Sequence, residues 1–240
     1  MVKRETVDIV GDLINSMSIV ININTIVDNL DNTYTIETCN TGYLFPNYKF
    51  TIDGVNYKVL DEVGKDFVFN EKFTIEGNTI PTGLVITLPE LKYYHGTVIA
   101  TKSELDKKQL SVDKFPMVYL LEVLEDNFNN EDDSRIDRNS NLRLFFLSET
   151  AGNDWSTDNH YDYSIKPMRN MVYNFINYIN NSNKIGKFDT YKAINHAKFG
   201  VYTADKGHTR RVFNDDLSGV ELKIDLPIIK TKSDCNNICN

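Results

Sequence analysis

Residues Ser164–Asn181 read SIKPMRNMVYNFINYINN, and the apolar side chains Ile165, Met168, Val172, Phe175, Ile176 and Ile179 recur at steps of three and four. That spacing lays a continuous apolar stripe along one side of a helix. Ser164 suits an N-cap, and Pro167 then falls in the first turn, where a missing amide costs nothing. The helix is expected to start at about Ile165 and to end near Asn181, where Asn-Asn-Ser-Asn breaks the pattern. A stripe of this width needs a surface to cover, and the flanking segments supply strands.

Upstream lie FPMVYLLEVLE (Phe115–Glu125) and LRLFFLSE (Leu142–Glu149), both strongly apolar. Downstream, residues 197–230 read as two or three strands, the last spanning Val220 to Ile228. In the first half, Val7, Ile9, Val10, Leu13, Ile14 and Met17 mark an N-terminal helix. Residues 18–39 then alternate, with a turn at Asp31 and Asn32, and Asp53-Gly54 joins two further alternating runs as a two-residue hairpin. Gly77, Pro81, Gly83 and Pro89 punctuate more short strands, giving a helix followed by a β meander. Residues 93–110 read as irregular, with one helical turn around Ser103 to Lys108. The fold class expected is α+β, a mainly antiparallel sheet with a packed amphipathic helix and an N-terminal helix. No composition shift divides the chain, so residues 1–230 are read as one domain and 231–240 as a flexible tail.

The chain has 240 residues, 41% hydrophobic, and no apolar run approaches the roughly 20 residues a spanning helix needs. The N-terminus lacks the apolar core of a secretory signal. A net charge of −8 has the wrong sign for gripping a phosphate backbone. Three cysteines, Cys39, Cys235 and Cys239, define no disulfide framework, and the last two sit in the polar tail.

Between the two apolar strands runs DNFNNEDDSRIDRNSN (126–141), with Asp126, Glu131, Asp132, Asp133 and Asp137. It reads as a long acidic hairpin loop reaching out of the domain. NDWSTDNHYDYS (153–164) gathers Asp154, Asp158, His160 and Asp162 beside Trp155 and Tyr161. On a strand, alternate residues would converge as metal ligands, and a metal-dependent hydrolase is the enzyme reading of this cluster. Just before a capped helix, the same residues serve to cap turns and to favour the helix's positive end, and that reading is preferred. His95, His160, His196 and His208 fall in no metal-binding spacing, and no nucleotide loop or nucleophile elbow occurs. No catalytic residue, metal site or cofactor is therefore assigned. Arg210 and Arg211 are the only adjacent arginines, placed to meet phosphate, a neighbour's carboxylates or to guard a strand edge. A monomeric glycan- or partner-binding module using exposed tyrosines is the remaining alternative.

The order VYLLEVLE, acidic loop, LRLFFLSE, W-x-x-D-x-H-Y, a helix opening IKPM and running to NFINYI, then NDDLSGVELKIDLPI resembles the ring-forming tail-terminator and head-to-tail connector proteins of tailed bacteriophages, crAss-like phages among them. The resemblance covers the second half; the N-terminal meander and the cysteine-bearing tail depart from it. It implies a non-catalytic virion protein of the neck or tail, made in the host cytoplasm. It further implies copies arranged in a ring of roughly six or twelve, through heterologous contacts that close on themselves. Other neck and tail proteins would dock above and below, and DNA would pass as a non-specific contact. A negative chain suits that passage, the acidic stretch would reach a neighbour or the lumen, and Arg210 and Arg211 would be interface charges.

Overall fold

The structure, a computed structural model, describes residues 4–17, 20–38, 44, 49–52, 54–60, 64–65, 71–83, 85–87, 91–110, 113–121, 125–129, 135–150, 156–203 and 208–230. It is an α+β fold with two main sheets, both largely antiparallel. Among the described residues no helix is long and apolar enough to cross a membrane.

The first sheet is built from β1 (Val20–Asp28), β2 (Thr33–Thr38), β3 (Lys49–Ile52), β4 (Val55–Val59), β5 (Gly64–Lys65), β6 (Glu71–Glu76) and β7 (Val85–Thr87). Residues in β2 alternate between buried and half-buried, as period-two patterning requires. The β3–β4 hairpin turns where expected: Ile52 pairs with Val55, and Gly54 takes the positive φ of +80° that a two-residue turn demands. Asp53 lies outside the described residues. The strand order is β3-β4-β6-β2-β1-β7, with β5 on β6, so this half is not the meander expected. Alternation told which face each strand buries, but it carries no information about which strand lies alongside. The β3–β4 hairpin is thereby displaced outward, and β6 takes the place beside β2.

The second sheet has the order β12-β15-β11-β9-β8, with β10 also on β11. Its strands are β8 (Lys92–Gly96), β9 (Met117–Leu121), β10 (Glu125–Phe128), β11 (Ile136–Glu149), β12 (Tyr191–Phe199) and β15 (Leu217–Ile229). A small hairpin, β13 (Val201–Thr203) with β14 (Thr209–Arg211), follows β12. At 14 and 13 residues, β11 and β15 are the longest strands, each about 45 Å from end to end. They pair from Ile136–Ile229 to Glu149–Leu217. The strand expected over Leu142–Glu149 thus begins six residues earlier, and the segment between the apolar strands is only partly a loop.

Residues 93–110, expected to be irregular, form β8 and a helix, α2 (Val98–Asp106), whose Thr97 caps the Ala100 amide at 3.2 Å. Only Thr101 and Leu105 of α2 are buried, so it carries no apolar stripe that periodicity could detect. The N-terminal helix α1 spans Thr6–Ser16 as its spacing predicts, burying Ile9, Val10, Leu13 and Ile14. The main helix begins at Lys166 with Pro167 in its first turn, close to the expected start, but Ser164 is not its cap, because helical turns run directly into it. Ser156 is the N-cap of α3 (Thr157–His160), a wide turn follows over Tyr161–Ile165, and α4 (Lys166–Asn180) continues it. Pro167 explains the wide turn. Inside a regular helix its ring would strike the carbonyl four residues back, and a one-turn π-bulge relieves that contact. The Lys166 amide accordingly donates to Tyr161, five residues back.

α4 packs Met168, Met171, Val172, Phe175, Ile176 and Ile179 on one face of the second sheet. One continuous buried cluster joins this face to α1 and to inward residues of the first sheet. Each large side chain there contributes roughly 1.5–3 kcal/mol before chain entropy is charged against it. The opposite face of the second sheet holds a second cluster, with Tyr94, Leu105, Met117, Tyr119, Phe145, Phe213 and Leu217.

Gly219 sits opposite Leu147 on β11 and His196 on β12. A Cβ placed there would lie 2.0 Å from the Phe146 carbonyl oxygen and 3.0 Å from the Leu147 Cα, both main-chain atoms. Gly219→Ala is therefore expected to cost at least about 3 kcal/mol, through separation of β11 from β15. Urea denaturation followed by circular dichroism measures it, and a change under about 1 kcal/mol would contradict this packing.

Candidate functional site

The acidic stretch is ordered at both ends into strand. Glu125↔Asn141 through Phe128↔Arg138 pair β10 with β11, so Asp126 and Asp137 do not lie on a free loop. Both turn to Arg138, whose side chain is 3% exposed: Asp137 at 2.8 Å and Asp126 at 3.5 Å. Arg138 also donates to the Thr6 hydroxyl at 3.0 Å and to the Arg4 carbonyl at 2.6 Å, and it lies over the Phe128 ring. Thr6 in turn contacts Asp126 and Ser140. The group ties the start of α1 to β10 and β11. Two aspartates expected to face a neighbour or a lumen instead balance a buried guanidinium, because a buried charge without partners would be far costlier than a solvated one. Glu131, Asp132 and Asp133 lie outside the described residues. Sequence reasoning missed Arg138; its one signal was an arginine in a segment otherwise read as solvent-facing.

Arg210 and Arg211 lie on β14. Arg211 pairs with Asp216 at 2.7 Å, which links the β13–β14 hairpin to the start of β15. Arg210 is exposed opposite Tyr202, itself 50% exposed.

Helix geometry separates the members of the Asn153–Ser164 cluster. Asp158 and Asp162 are exposed one turn apart, whereas His160 is buried on the other side. The clamp reading needed a strand, and Thr157–His160 with the turn that follows is helical. Among the described residues no group of three or more His, Cys, Asp or Glu is placed to hold a metal. Asp154 and Trp155 lie outside the described residues. Ser164, expected to cap the helix, is buried and meets Ser148 at 2.7 Å.

His160 Nδ1 lies 2.9 Å from the Ser218 hydroxyl, a spacing that invites a nucleophile–base reading. The hydrogen bonds run the wrong way. Ser218 donates its only proton to the Ala197 carbonyl, so His160 must donate from Nδ1, and the serine oxygen gains no nucleophilicity. The pair fastens the helix to β15 and β12.

On the face of the second sheet away from α4, charges form rows across strands. Lys192, Lys223 and Arg143 are direct neighbours on β12, β15 and β11. Like charges set directly opposite destabilise a sheet unless something balances them. Glu221, 3% exposed at its side chain, does so in part: Arg143 Nε lies at 2.6 Å, His196 Nε2 at 3.0 Å and Lys223 Nζ at 3.5 Å. Burial by itself would raise the Glu221 pKa. Hydrogen bonds from Arg143 and His196, with the charges of Arg143 and Lys223, outweigh burial and hold it below the ordinary carboxylate value. Its stabilising contribution is thus present at neutral pH and is lost as pH falls through that lowered value. Lys192 has no such partner among the described contacts and lies on the outermost strand. β12 pairs only with β15, and most of its residues are exposed, Tyr191 and Ile194 among them. At the other side of the sheet β10 pairs only with β11, and Glu125, Asn127 and Phe128 are exposed. The β12 edge carries Lys192 and Lys198, both exposed, whereas on the other side β10 shares the flank of β11 with β9, and β8 is outermost.

Arg138→Ala strips the guanidinium from Asp126 and Asp137, and the expected loss is about 3–5 kcal/mol in chemical denaturation. For His160, burial first and the nearby Lys198 second lower its pKa below the ordinary 6.5, against an opposing pull from Asp216. The unfolded chain therefore binds the proton first, so stability falls as pH drops below 6.5 and is unaffected above it. His160→Asn keeps a donor and removes the titration. Its melting temperature is expected to vary less than the parent's between neutral and mildly acidic pH, and parallel curves would exclude the assignment.

The sequence matches no family model and no curated protein, and the fold matches no solved structure.

Proposed function

We propose that this chain is a non-catalytic virion protein of a tailed phage, a subunit of a neck or tail ring that joins capsid to tail and lets DNA through its lumen. The observation that carries the reading is an open, basic strand edge at β12, with Lys192 and Lys198 exposed on it, in a chain whose net charge is −8. A basic edge on an acidic subunit favours contacts between unlike surfaces, and such heterologous contacts build rings when the rotation closes. The resemblance of residues 115–230 to tail-terminator and connector proteins points the same way. The buried His160–Ser218 pair, whose hydrogen bonds leave the serine unactivated, favours a structural role over an enzymatic one. The net charge of −8 keeps a passing polyanion from adhering. Neighbouring neck and tail proteins would dock on the remaining loops.

Negative-stain imaging of the purified protein at high concentration, and of particles that carry it, tests the proposal. Rings of uniform diameter, about six or twelve subunits by native mass, are expected. A protein that stays monomeric and is absent from particles would overturn it, and glycan affinity in that monomer would favour the binding-module alternative.

A further inference from the structure

We infer that the tip of the β1–β2 hairpin of one copy, with Leu30 as its anchor, docks on the open β12 edge of the next copy. This deepens the ring reading and rests on it.

The turn between β1 and β2 is held by its own side chains. The Asp28 carboxylate accepts from the Leu30 amide at 2.8 Å, and Asp31 Oδ1 accepts from the Thr33 amide at 3.1 Å and the Thr33 hydroxyl at 2.5 Å. Asn29 donates to the Thr33 hydroxyl at 2.9 Å, and the Gly77 amide donates to the Asn32 carbonyl at 3.0 Å, which ties the turn to the end of β6. In this frame Leu30 takes a φ of +62° and Asn32 one of +64°. Asparagine tolerates the left-handed region; leucine, whose side chain makes no local hydrogen bond there, is disfavoured in it. Burial is what ordinarily offsets such a placement, yet Leu30 is 90% exposed. Within one chain the residue is strained and covers nothing. Strain of this kind persists where the surroundings over-determine it, and it gathers at contact sites. Val27, also exposed, extends the apolar surface along the same hairpin.

β12 presents the complementary surface. Its backbone is paired on one side only, and the bulge between His196 and Phe199 confines the regular open edge to residues 191–196. Ile194, 38% exposed, stands at the middle of that stretch, where a purely protective edge would carry a polar side chain. Lys192 lies on the same face as Ile194, about 7 Å away along the strand. Leu30 and Asp31 are adjacent at the tip, so Leu30 set against Ile194 brings Asp31 towards Lys192. Both hydrogen bonds to Asp31 end on Oδ1, which leaves Oδ2 to face the ammonium. Lys192, which has only Lys223 and Arg143 in its own row, acquires a carboxylate from the neighbour.

The tip belongs to the first sheet and the edge to the second, so one subunit can use both surfaces at once, as head-to-tail closure requires. Neither surface suits its own kind. Two tips would set Asp28 and Asp31 against the same pair, and two β12 edges would bring together Lys192 and Lys198 of both copies. A contact of this size is small, but each subunit of a ring makes it twice, and modest contacts then close a stable assembly.

Leu30→Asn separates a role in assembly from a role in the turn. Asparagine is at ease at positive φ, so the monomer's melting temperature is expected to be unchanged or higher. The concentration for half-assembly is expected to rise about tenfold, which a leucine serving only the turn would not produce. Asp31→Asn keeps the Oδ1 acceptor and Lys192→Gln keeps most of the stem; each is expected to weaken assembly about threefold, and both together little more than either alone. Proximity is read in the full chain with Cys39, Cys235 and Cys239 changed to Ser and with Leu30→Cys and Ile194→Cys together, treated with a short thiol cross-linker as concentrated protein and in particles that carry it. A ladder beyond the dimer is expected, whereas either cysteine alone should stop at dimer. Rings in the parent, with no ladder and no effect of Leu30→Asn on assembly, overturn this contact and leave the ring reading standing. A parent that stays monomeric and is absent from particles overturns both.

Discussion

The long antiparallel pairing of β11 with β15 is the constraint on which the other elements depend. Its α4 face receives Met168, Val172 and Phe175; its other face receives the aromatic cluster around Tyr119 and Phe145; its flanks take β12 on one side and β9 and β10 on the other. The two backbones must therefore lie flush over their whole length. Gly219 is where that requirement is strictest, since no side chain fits between its Cα and the Phe146 carbonyl. Long pairing also fixes where the ends of the sheet fall, and hence which edges face solvent.

Two buried charges, one near each end of this pair, show how the sheet handles polarity. Arg138 is matched by Asp126 and Asp137 and anchors α1; Glu221 is matched by Arg143, His196 and Lys223 and holds three strands in register. Each group has several hydrogen-bonding partners, as a charge removed from water requires. They differ in what lies beyond. The Arg138 group closes on itself within one chain, whereas the Lys223 and Arg143 that serve Glu221 belong to a row ending at Lys192 on an open edge. That asymmetry makes the β12 side the more reactive surface towards an anionic neighbour.

Much of the fold could be read from local pattern. The helical spacing of Val7 to Met17 and of Met168 to Ile179, the alternation of Thr33–Thr38 and the Asp53-Gly54 turn signal each act within a few residues, and each is present. What local pattern does not encode is adjacency. β6 lies beside β2 and β7 beside β1 because of long-range packing, and α2 carries no stripe because it covers the sheet with little more than Leu105. The main helix begins at Lys166 with Pro167 in its first turn, close to the expected start, but Ser164 does not cap it because helical turns precede it from Thr157. The candidate site was less legible. Asp126 and Asp137 looked like solvent-facing charges since their partner, Arg138, is identifiable only once β10 and β11 are paired. His160 and Asp162 looked alike two residues apart, yet the helix turns one inward and the other outward.

Edge chemistry brings these threads together. An exposed strand of nine residues is an aggregation hazard, and lysines at Lys192 and Lys198 are the usual protection against it. Protection by charge is selective, however: it repels an identical edge and neutral fibrils gain little from it, but it attracts an edge of opposite sign. In a chain with net charge −8, Lys192, Lys223 and Arg143 form a basic row that runs from the β12 edge across β15 to β11. Nucleic acid would feel the overall negative charge first, since repulsion acts at a distance. The same charge that keeps the β12 edge from pairing with its like therefore leaves it open to an acidic surface that comes close enough to escape screening.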